Sequence, residues 1–422
     1  MAAIEDVVDM TLVPRLVEFL ARHDQPALQY EASWALTNIA SGSPDHTRHV
    51  VEAGAVPRLR DLILCPNDDV REQAVWGLSN IAGDSAQCRD IVLTHGVLDP
   101  LLQNLFEASR ISMLRNAAWA MSNLCRGKPA PAWGLVSGAL PVLARLLHST
   151  DDDVLANACW TISYMSDGLG DRQTEIINAG VTHRLAALLL HPSTKIQGPV
   201  LRIIGNLVAG EDHAQTQFAI NAGILPGLAT LLASTKTAVC KDTCWVISNL
   251  TAGDRAHLQA VIDAQIVPRL IHALRTRDYV IKKEATWALS NATAIGTAEQ
   301  VRYLVSEGLV EPILDQLTSS EVALVQIALT AVENLLKVGE RDARETGRNE
   351  YAELVESLGG IDRLDALQAH ENVDVYNKAR NILVVYYDGI NDDGDDYGVG
   401  AAGDSFQFGG GGGGEEDSGF RF

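Results

Sequence analysis

Apolar residues along most of this chain recur every three or four positions, in short bursts separated by Gly, Pro or polar links. That spacing predicts amphipathic helices, each with one face to bury. The bursts come in sets of three. A short helix such as Asp45 to Glu52 or Gln259 to Asp263 comes first. Gly then closes it, because Gly accepts the left-handed conformation at a helix C-terminus, and Pro opens the next helix in its first turn. The second helix (Leu59 to Leu64, Val142 to Leu147, Leu228 to Leu232) is apolar at helical spacing and reads as core. A polar link such as Pro66-Asn-Asp-Asp69 or Ser149-Thr-Asp-Asp-Asp153 leads to a longer third helix.

A Gly followed three or four residues later by Pro returns as Gly54 to Pro57, Gly96 to Pro100, Gly138 to Pro141, Gly223 to Pro226 and Gly308 to Pro312. The period of about 42 residues lies in the range of armadillo and HEAT repeats, and three helices per unit favour armadillo. The expected fold is an all-α, right-handed armadillo-repeat superhelical solenoid over residues 1–387, with about nine repeats, the first partly truncated. Near the end the register slips by about ten residues. The excess falls on the charged stretch Gly339 to Glu350, which reads as a longer loop. A last helix, Val373 to Tyr387, closes the array. Residues 388–422 are acidic, Gly-rich and poor in aliphatics, so they are expected to form a disordered tail.

The third helix carries a second repeating mark, a Trp followed four residues later by an Asn: Trp34/Asn38, Trp76/Asn80, Trp119/Asn123, Trp245/Asn249 and Trp287/Asn291. Positions i and i+4 share a helix face. The Ala, Leu and Ile between them already supply the apolar stripe, and an Asn inside a core would need partners. A solvent-facing groove is the expected place, where each Asn bonds the main chain of an extended peptide through both its N–H and its C=O. The indoles then flank slots for Lys or Arg side chains. Glu31, Asp242 and Glu284 lie three residues before a Trp, and Asp84, Asp167, Asp212 and Asp254 fall just past helix ends, at the groove's edge. Two units break the pattern, with Trp160…Tyr164 and Arg202…Asn206. They divide the ladder into one site from Trp34 to Trp119 and another around Trp245 and Trp287. With stacked helices about 10 Å apart, Trp76 and the second site would be roughly 40 Å apart, about twelve extended residues. Ligands with one basic cluster, or with two so spaced, are expected.

Charge sharpens this picture. A net charge of −21 argues against a nucleic-acid partner and favours a basic one. Six Cys are scattered with no completing His or Cys, so they read as buried thiols and no metal site is expected. His23, His46, His49, His95, His148, His183 and His191 are read as ordinary surface residues. No P-loop, nucleophile motif or in-register His/Asp/Glu cluster suggests an enzyme, and no cofactor is called for. Neither a signal peptide nor an uninterrupted apolar run long enough to cross a bilayer was found, so a soluble intracellular protein without a membrane partner is expected.

The segments Ala35-Leu-Thr-Asn-Ile-Ala-Ser-Gly42, Trp76-Gly-Leu-Ser-Asn-Ile-Ala-Gly-Asp84, Arg202-Ile-Ile-Gly-Asn206 and Glu371-Asn-Val-Asp-Val-Tyr376 resemble those of the importin-alpha family, adaptors that carry cargo bearing nuclear localisation signals. The resemblance runs from about Ile4 to Tyr387. It implies binding of mono- and bipartite basic signals and shuttling between cytoplasm and nucleus. Trp34, Asn38, Trp76, Asn80, Trp119, Asn123 and Trp160 would form the major site. Its lysine pocket would combine the carbonyl of Gly42, the hydroxyl of Thr47 and the carboxylate of Asp84. Arg202, Asn206, Trp245, Asn249, Trp287 and Asn291 would form the minor site, with Glu284 as its acid and Asp212 and Thr216 as its polar wall. The terminal helices and acidic tail resemble the surface on which the family's export receptor acts. Family members begin with a basic importin-beta-binding segment and a first repeat; here Met1-Ala-Ala stands at the second, so importin-beta recruitment in the usual way is not expected. Asn157 stands where an acidic residue is common, which would weaken contacts near Trp160. An armadillo scaffold of signalling or adhesion is the competing reading, though such grooves are typically lined with Lys and Arg.

Overall fold

The computed structural model describes residues 12–107, 110–168, 170–210 and 212–387, and every regular element among them is a helix. The tail and the opening residues lie outside this set. The helices fall into two compact units that divide between Ile203 and Ile204, inside the helix Thr194–Val208. Each unit is described by itself.

In the first unit one repeat illustrates how sequence dictates the elements. Ser43 caps the helix Pro44–Glu52 by accepting the His46 N–H. Gly54, at φ +82°, turns the chain into Ala55–Leu62, where Pro57 sits in the first turn. Asn67 then accepts the N–H groups of Asp69 and Val70 and starts Asp68–Asp84, whose two leading Asp residues complement the helix dipole. Val50, Leu59, Leu62, Val70 and Leu78 are buried, and each large one contributes roughly 1.5–3 kcal/mol through burial. The long helices stack in chain order: Pro26–Ala40, Asp68–Asp84, Ile111–Cys125 and Asp152–Ser166. The second unit repeats the arrangement with Thr237–Ala252, Tyr279–Ile295, Val322–Thr346 and Val373–Tyr386.

Three expectations need correction. The second helices begin earlier than their apolar runs, at Ala55, Leu140 and Ile224, because the turn containing Pro is already helical. One repeat has no first helix: Pro129 and Pro131 exclude it, and two short 3-10 turns, Trp133–Leu135 and Ser137–Ala139, replace it. The buried Arg89 holds that segment by donating to the carbonyls of Arg126, Gly127 and Pro129 (2.7, 3.3 and 2.8 Å).

The third correction concerns the charged stretch from Gly339, most of which is not a loop. It lengthens the helix Val322–Thr346, which stops at Gly347 with φ +81°. Gly339 is buried because Asn349 crosses it so closely that a Cβ would lie 2.0 Å from Asn349 Oδ1. Arg302 clasps Asp342 on the extension with contacts of 2.9 and 2.5 Å. By length and composition this helix could cross a membrane, although Gln326, Glu333, Asn334 and Lys337 interrupt it, so it is not the uninterrupted apolar run sought in the sequence. Yet 61% of its most apolar stretch is buried against neighbouring helices, which accounts for its apolar content without a bilayer.

Candidate functional site

The ladder is in strict register with the helices that carry it. Trp34, Trp76, Trp119, Trp160, Trp245 and Trp287 are each the ninth residue of their helix. Arg202 is the ninth of Thr194–Val208, and Thr330 the ninth of Val322–Thr346. The thirteenth positions hold Asn38, Asn80, Asn123, Tyr164, Asn206, Asn249, Asn291 and Asn334. Among these six indoles Trp34 is 50% exposed and the other five are half-buried. Large indoles left partly in water on a fixed face are what a stacking surface requires.

The asparagines do more than face solvent. Asn80 Nδ2 donates to the carbonyl of Thr37 at 3.1 Å, and Asn123 Nδ2 to that of Ser79 at 3.1 Å. In the second unit Asn249 donates to Gly205 O (3.2 Å) and Asn291 to Ser248 O (3.1 Å). Each acceptor is the twelfth residue of the preceding long helix. These bonds add a task beyond the expected one, since each draws on the amide's Nδ2 and leaves its Oδ1 uncommitted to it. One N–H ties neighbouring repeats together, and the second N–H and the Oδ1 remain as the amide's further capacity. Asn123, with a further contact to Ser79 Oγ at 3.0 Å, is buried; Asn38 is exposed; Asn206, Asn249 and Asn291 are half-buried. The bond orients each carboxamide before any ligand arrives, which lowers the ordering cost of binding.

Gly205 was missed by sequence reasoning. A Cβ there would lie 2.0 Å from Cζ3 of Trp245, so the indole rests directly on the backbone of the preceding helix. The signal was legible: the twelfth position is otherwise Thr or Ser in the Trp-bearing helices, and only a residue without a side chain leaves room for the ring.

The acidic residues separate into different roles. Asp84 ends its helix, is half-buried and has no ion pair among the described residues; Cys88 Sγ lies 3.8 Å from its Oδ2. Asp167 follows its helix, is exposed and lies 3.7 Å from Lys128. Asp212 and Asp254 are N-caps, accepting the N–H of Ala214 (2.9 Å) and of His257 (2.8 Å). These two thus carry a capping task besides the expected place at a groove edge. Glu31 is exposed and Asp242 half-buried. Glu284 is also half-buried; burial pushes its carboxyl above the ordinary range against the pull of Lys241 and Lys283, with Asp242 adding to the rise.

The proposed pocket residues lie at the start of the short helix Pro44–Glu52. Gly42 is half-buried. Thr47 is fully buried, and its hydroxyl donates to Ala40 O at 3.1 Å, so that proton is already committed. Thr216 is likewise buried in the helix His213–Asn221. At the break in the ladder, Trp160 and Tyr164 stack with centroids 5.7 Å apart, and the Arg202 guanidinium stands 5.9 Å from the Trp160 ring centre. Asn157 bonds back to Asp153 O within its own helix.

The structure also gathers His213, Asp254 and His257, whose potential ligand atoms lie within 4.8 Å of one another although the sequence spacing gave no hint of it. The inner two are engaged: Asp254 Oδ1 receives the His257 N–H, and His257 Nδ1 lies 3.4 Å from the Asp254 N–H. Burial holds His257 below the ordinary imidazole range, against the pull of Asp254. Its nitrogen serves a helix cap.

Known proteins place this geometry in a class. Residues 2–41, 43–83, 85–126, 130–167, 212–252 and 254–294 match the armadillo/beta-catenin-like repeat, and 349–399 the atypical Arm repeat. A crystal structure of an engineered protein aligns over 91% of this chain and 90% of its own at TM-score 0.82 and 28% identity. A computationally designed armadillo repeat protein for modular peptide recognition aligns over 58% of this chain and 98% of its own, at TM-score 0.53 and 28% identity. The fold is thus that of an armadillo-repeat protein.

Importin subunit alpha-1b of Oryza sativa subsp. japonica is 47% identical over 423 residues, covering 99% of this chain and 79% of the relative. Importin subunit alpha-3 of Arabidopsis thaliana is 46% identical over 410 residues, covering 96% and 77%. The chain belongs to the importin-alpha family of nuclear import adaptors.

Proposed function

We propose that the two stretches of ladder are the cargo sites of this adaptor, each taking an extended Lys- and Arg-rich segment of a nuclear localisation signal. Trp34, Trp76 and Trp119 with Asn38, Asn80 and Asn123 form the major site, Gly42, Thr47 and Asp84 its lysine pocket, and Trp160 its edge. Trp245 and Trp287 with Asn206, Asn249 and Asn291 form the minor site, where Glu284 supplies charge and Asp212 and Thr216 the flank; Arg202 stands at the break in the ladder. A single basic cluster uses the first; a two-cluster signal places one cluster in each. The observation that carries this is the register itself: six indoles at the ninth position and a carboxamide at most thirteenth positions, held ready by bonds between repeats. Asn80, Asn249 and Asn291 each spend one donor on the preceding helix and keep an acceptor and a donor for a peptide main chain, and the indoles along the two stretches offer faces to an alkyl stem and its cation.

An importin-beta partner, an export receptor acting on the C-terminal repeats and tail, and residence in both cytoplasm and nucleus belong to the same reading. So does a non-enzymatic repeat domain over residues 1–387 with a separate acidic tail, engaging neither nucleic acid nor membrane. The test is a titration of the chain with a fluorescent five-lysine peptide and a scrambled acidic control, at two salt concentrations. Salt-sensitive binding of the basic peptide alone is expected. Equal binding of both peptides, or none with the chain folded, would overturn the reading.

A further inference from the structure

The break in the ladder is not an empty position. Arg202 is the ninth residue of its helix, in the register that elsewhere carries Trp, so its side chain leaves from the ladder face. It reaches back, and its guanidinium lies 5.9 Å from the centre of the Trp160 ring, within cation–π range. Arg202 is exposed and has no salt bridge among the described residues, although the chain carries 54 Asp and Glu against 33 Lys and Arg. On the same indole Tyr164, in the Asn position, stacks at 5.7 Å and 25°. Trp160 is therefore dressed by residues of this chain: one cation and one aromatic ring. A ligand's Lys or Arg would present the same chemistry to it.

Within the second unit, at its far end, a similar arrangement recurs. Thr330 takes the ninth position, and Lys378 places its Nζ 2.6 Å from Thr330 Oγ1 and 3.5 Å from Glu333. There, too, the chain's own cation lies where the ladder register runs out.

We propose that Arg202 is a resident occupant of the cation slot at Trp160, and that it ends the first site by filling the slot a longer basic peptide would otherwise enter. It is a specificity-determining residue. It would set how many consecutive basic side chains the first site reads, and it would disfavour long uninterrupted runs over compact clusters. The inference rests on the basic-peptide reading above.

The test compares a five-lysine with a ten-lysine fluorescent peptide on the wild-type chain, Arg202→Ala, Arg202→Met and Arg202→Ala/Trp160→Ala, with helicity checked for each. On the wild type the ten-lysine peptide should gain little. Arg202→Ala uncovers the indole and should tighten the ten-lysine peptide about five- to thirty-fold, leaving the five-lysine peptide within about two-fold. Arg202→Met removes the charge but keeps an unbranched chain to cover the ring, so it should recover only a minor part of that gain. Adding Trp160→Ala should abolish it.

Equal tightening of both peptides, or equal gains from Ala and Met, would reduce Arg202 to a general repelling charge and overturn the inference. So would no gain at all. Failure of the wild type to bind the five-lysine peptide would overturn the basic-peptide reading itself, and this inference with it.

Discussion

The two units build the same ladder from different materials. In the first, the twelfth positions facing the next repeat are Thr37 and Ser79, whose carbonyls receive Asn80 and Asn123. In the second, the acceptors are Gly205 and Ser248, and at Gly205 Trp245 lies on bare backbone. The acids differ more. Asp84 stands at a helix end with no ion pair among the described residues, whereas Glu284 is recessed, with Lys241 and Lys283 close enough to act on it. A cation arriving at Asp84 would meet a side chain with no cation paired to it among the described residues; one arriving near Glu284 would compete with lysines already there. One repeat can thus be tuned from strong to weak by what surrounds its acid, with the Trp and Asn left in place.

The largest effect should come from Asp84→Lys, which puts a repelling charge at the first unit's acid. Binding of a single-cluster basic peptide should fall at least about a hundred-fold. An unchanged affinity would place the main site elsewhere. Next, Trp245→Ala with Trp287→Ala should weaken a two-cluster peptide about ten- to fifty-fold while sparing a single-cluster one. Equal losses would erase the distinction between the units.

Gly205→Ala sharpens the comparison through stability. The added methyl has no room beside Trp245 and should cost about 1–3 kcal/mol, read as a lower urea midpoint. Asn123→Ala, which orphans the acceptors of a buried donor, should cost about 1–2 kcal/mol. A stable Asn123→Ala would show that the bond between repeats is incidental.

The smallest effect is in pH. Burial raises the carboxyl pKa of Glu284, and a cation binds its ionised form, so affinity at the second unit is lost as pH falls through that raised value. The decline should begin above the ordinary carboxylate range and reach a few-fold. Glu284→Gln should remove this pH dependence. A two-cluster peptide whose affinity follows pH identically in wild type and variant would exclude Glu284 as the acid.

Much of this was legible in the sequence because the repeat displays it many times. Gly54 and Gly223 each turn the chain at positive φ where the pattern placed a helix end. The Trp and Asn positions emerged from a spacing that the helices obey residue by residue. What stayed hidden depends on partners distant in the chain. The bonds from Asn80, Asn123, Asn249 and Asn291 reach 43 or 44 residues back, so their role in joining repeats leaves no local mark. That Asp212 and Asp254 also cap helices was not read, because a cap and a groove edge both follow a helix end. The run after Gly339 misled because charged residues suit a loop and an exposed helix equally; Arg302 and Asn349 favour the helix. The guanidinium over Trp160 spans 42 residues and needed coordinates.

The most direct measurement of the central claim is a two-by-two titration. Single-cluster and two-cluster basic peptides would each be added to Asp84→Lys and to the Trp245→Ala/Trp287→Ala variant. A two-site ladder with a dominant first unit predicts that Asp84→Lys abolishes the single-cluster peptide and leaves residual binding of the two-cluster one, while the double Trp variant weakens the two-cluster peptide alone. Both peptides losing affinity equally in both variants would contradict the division and leave a single undifferentiated acidic surface.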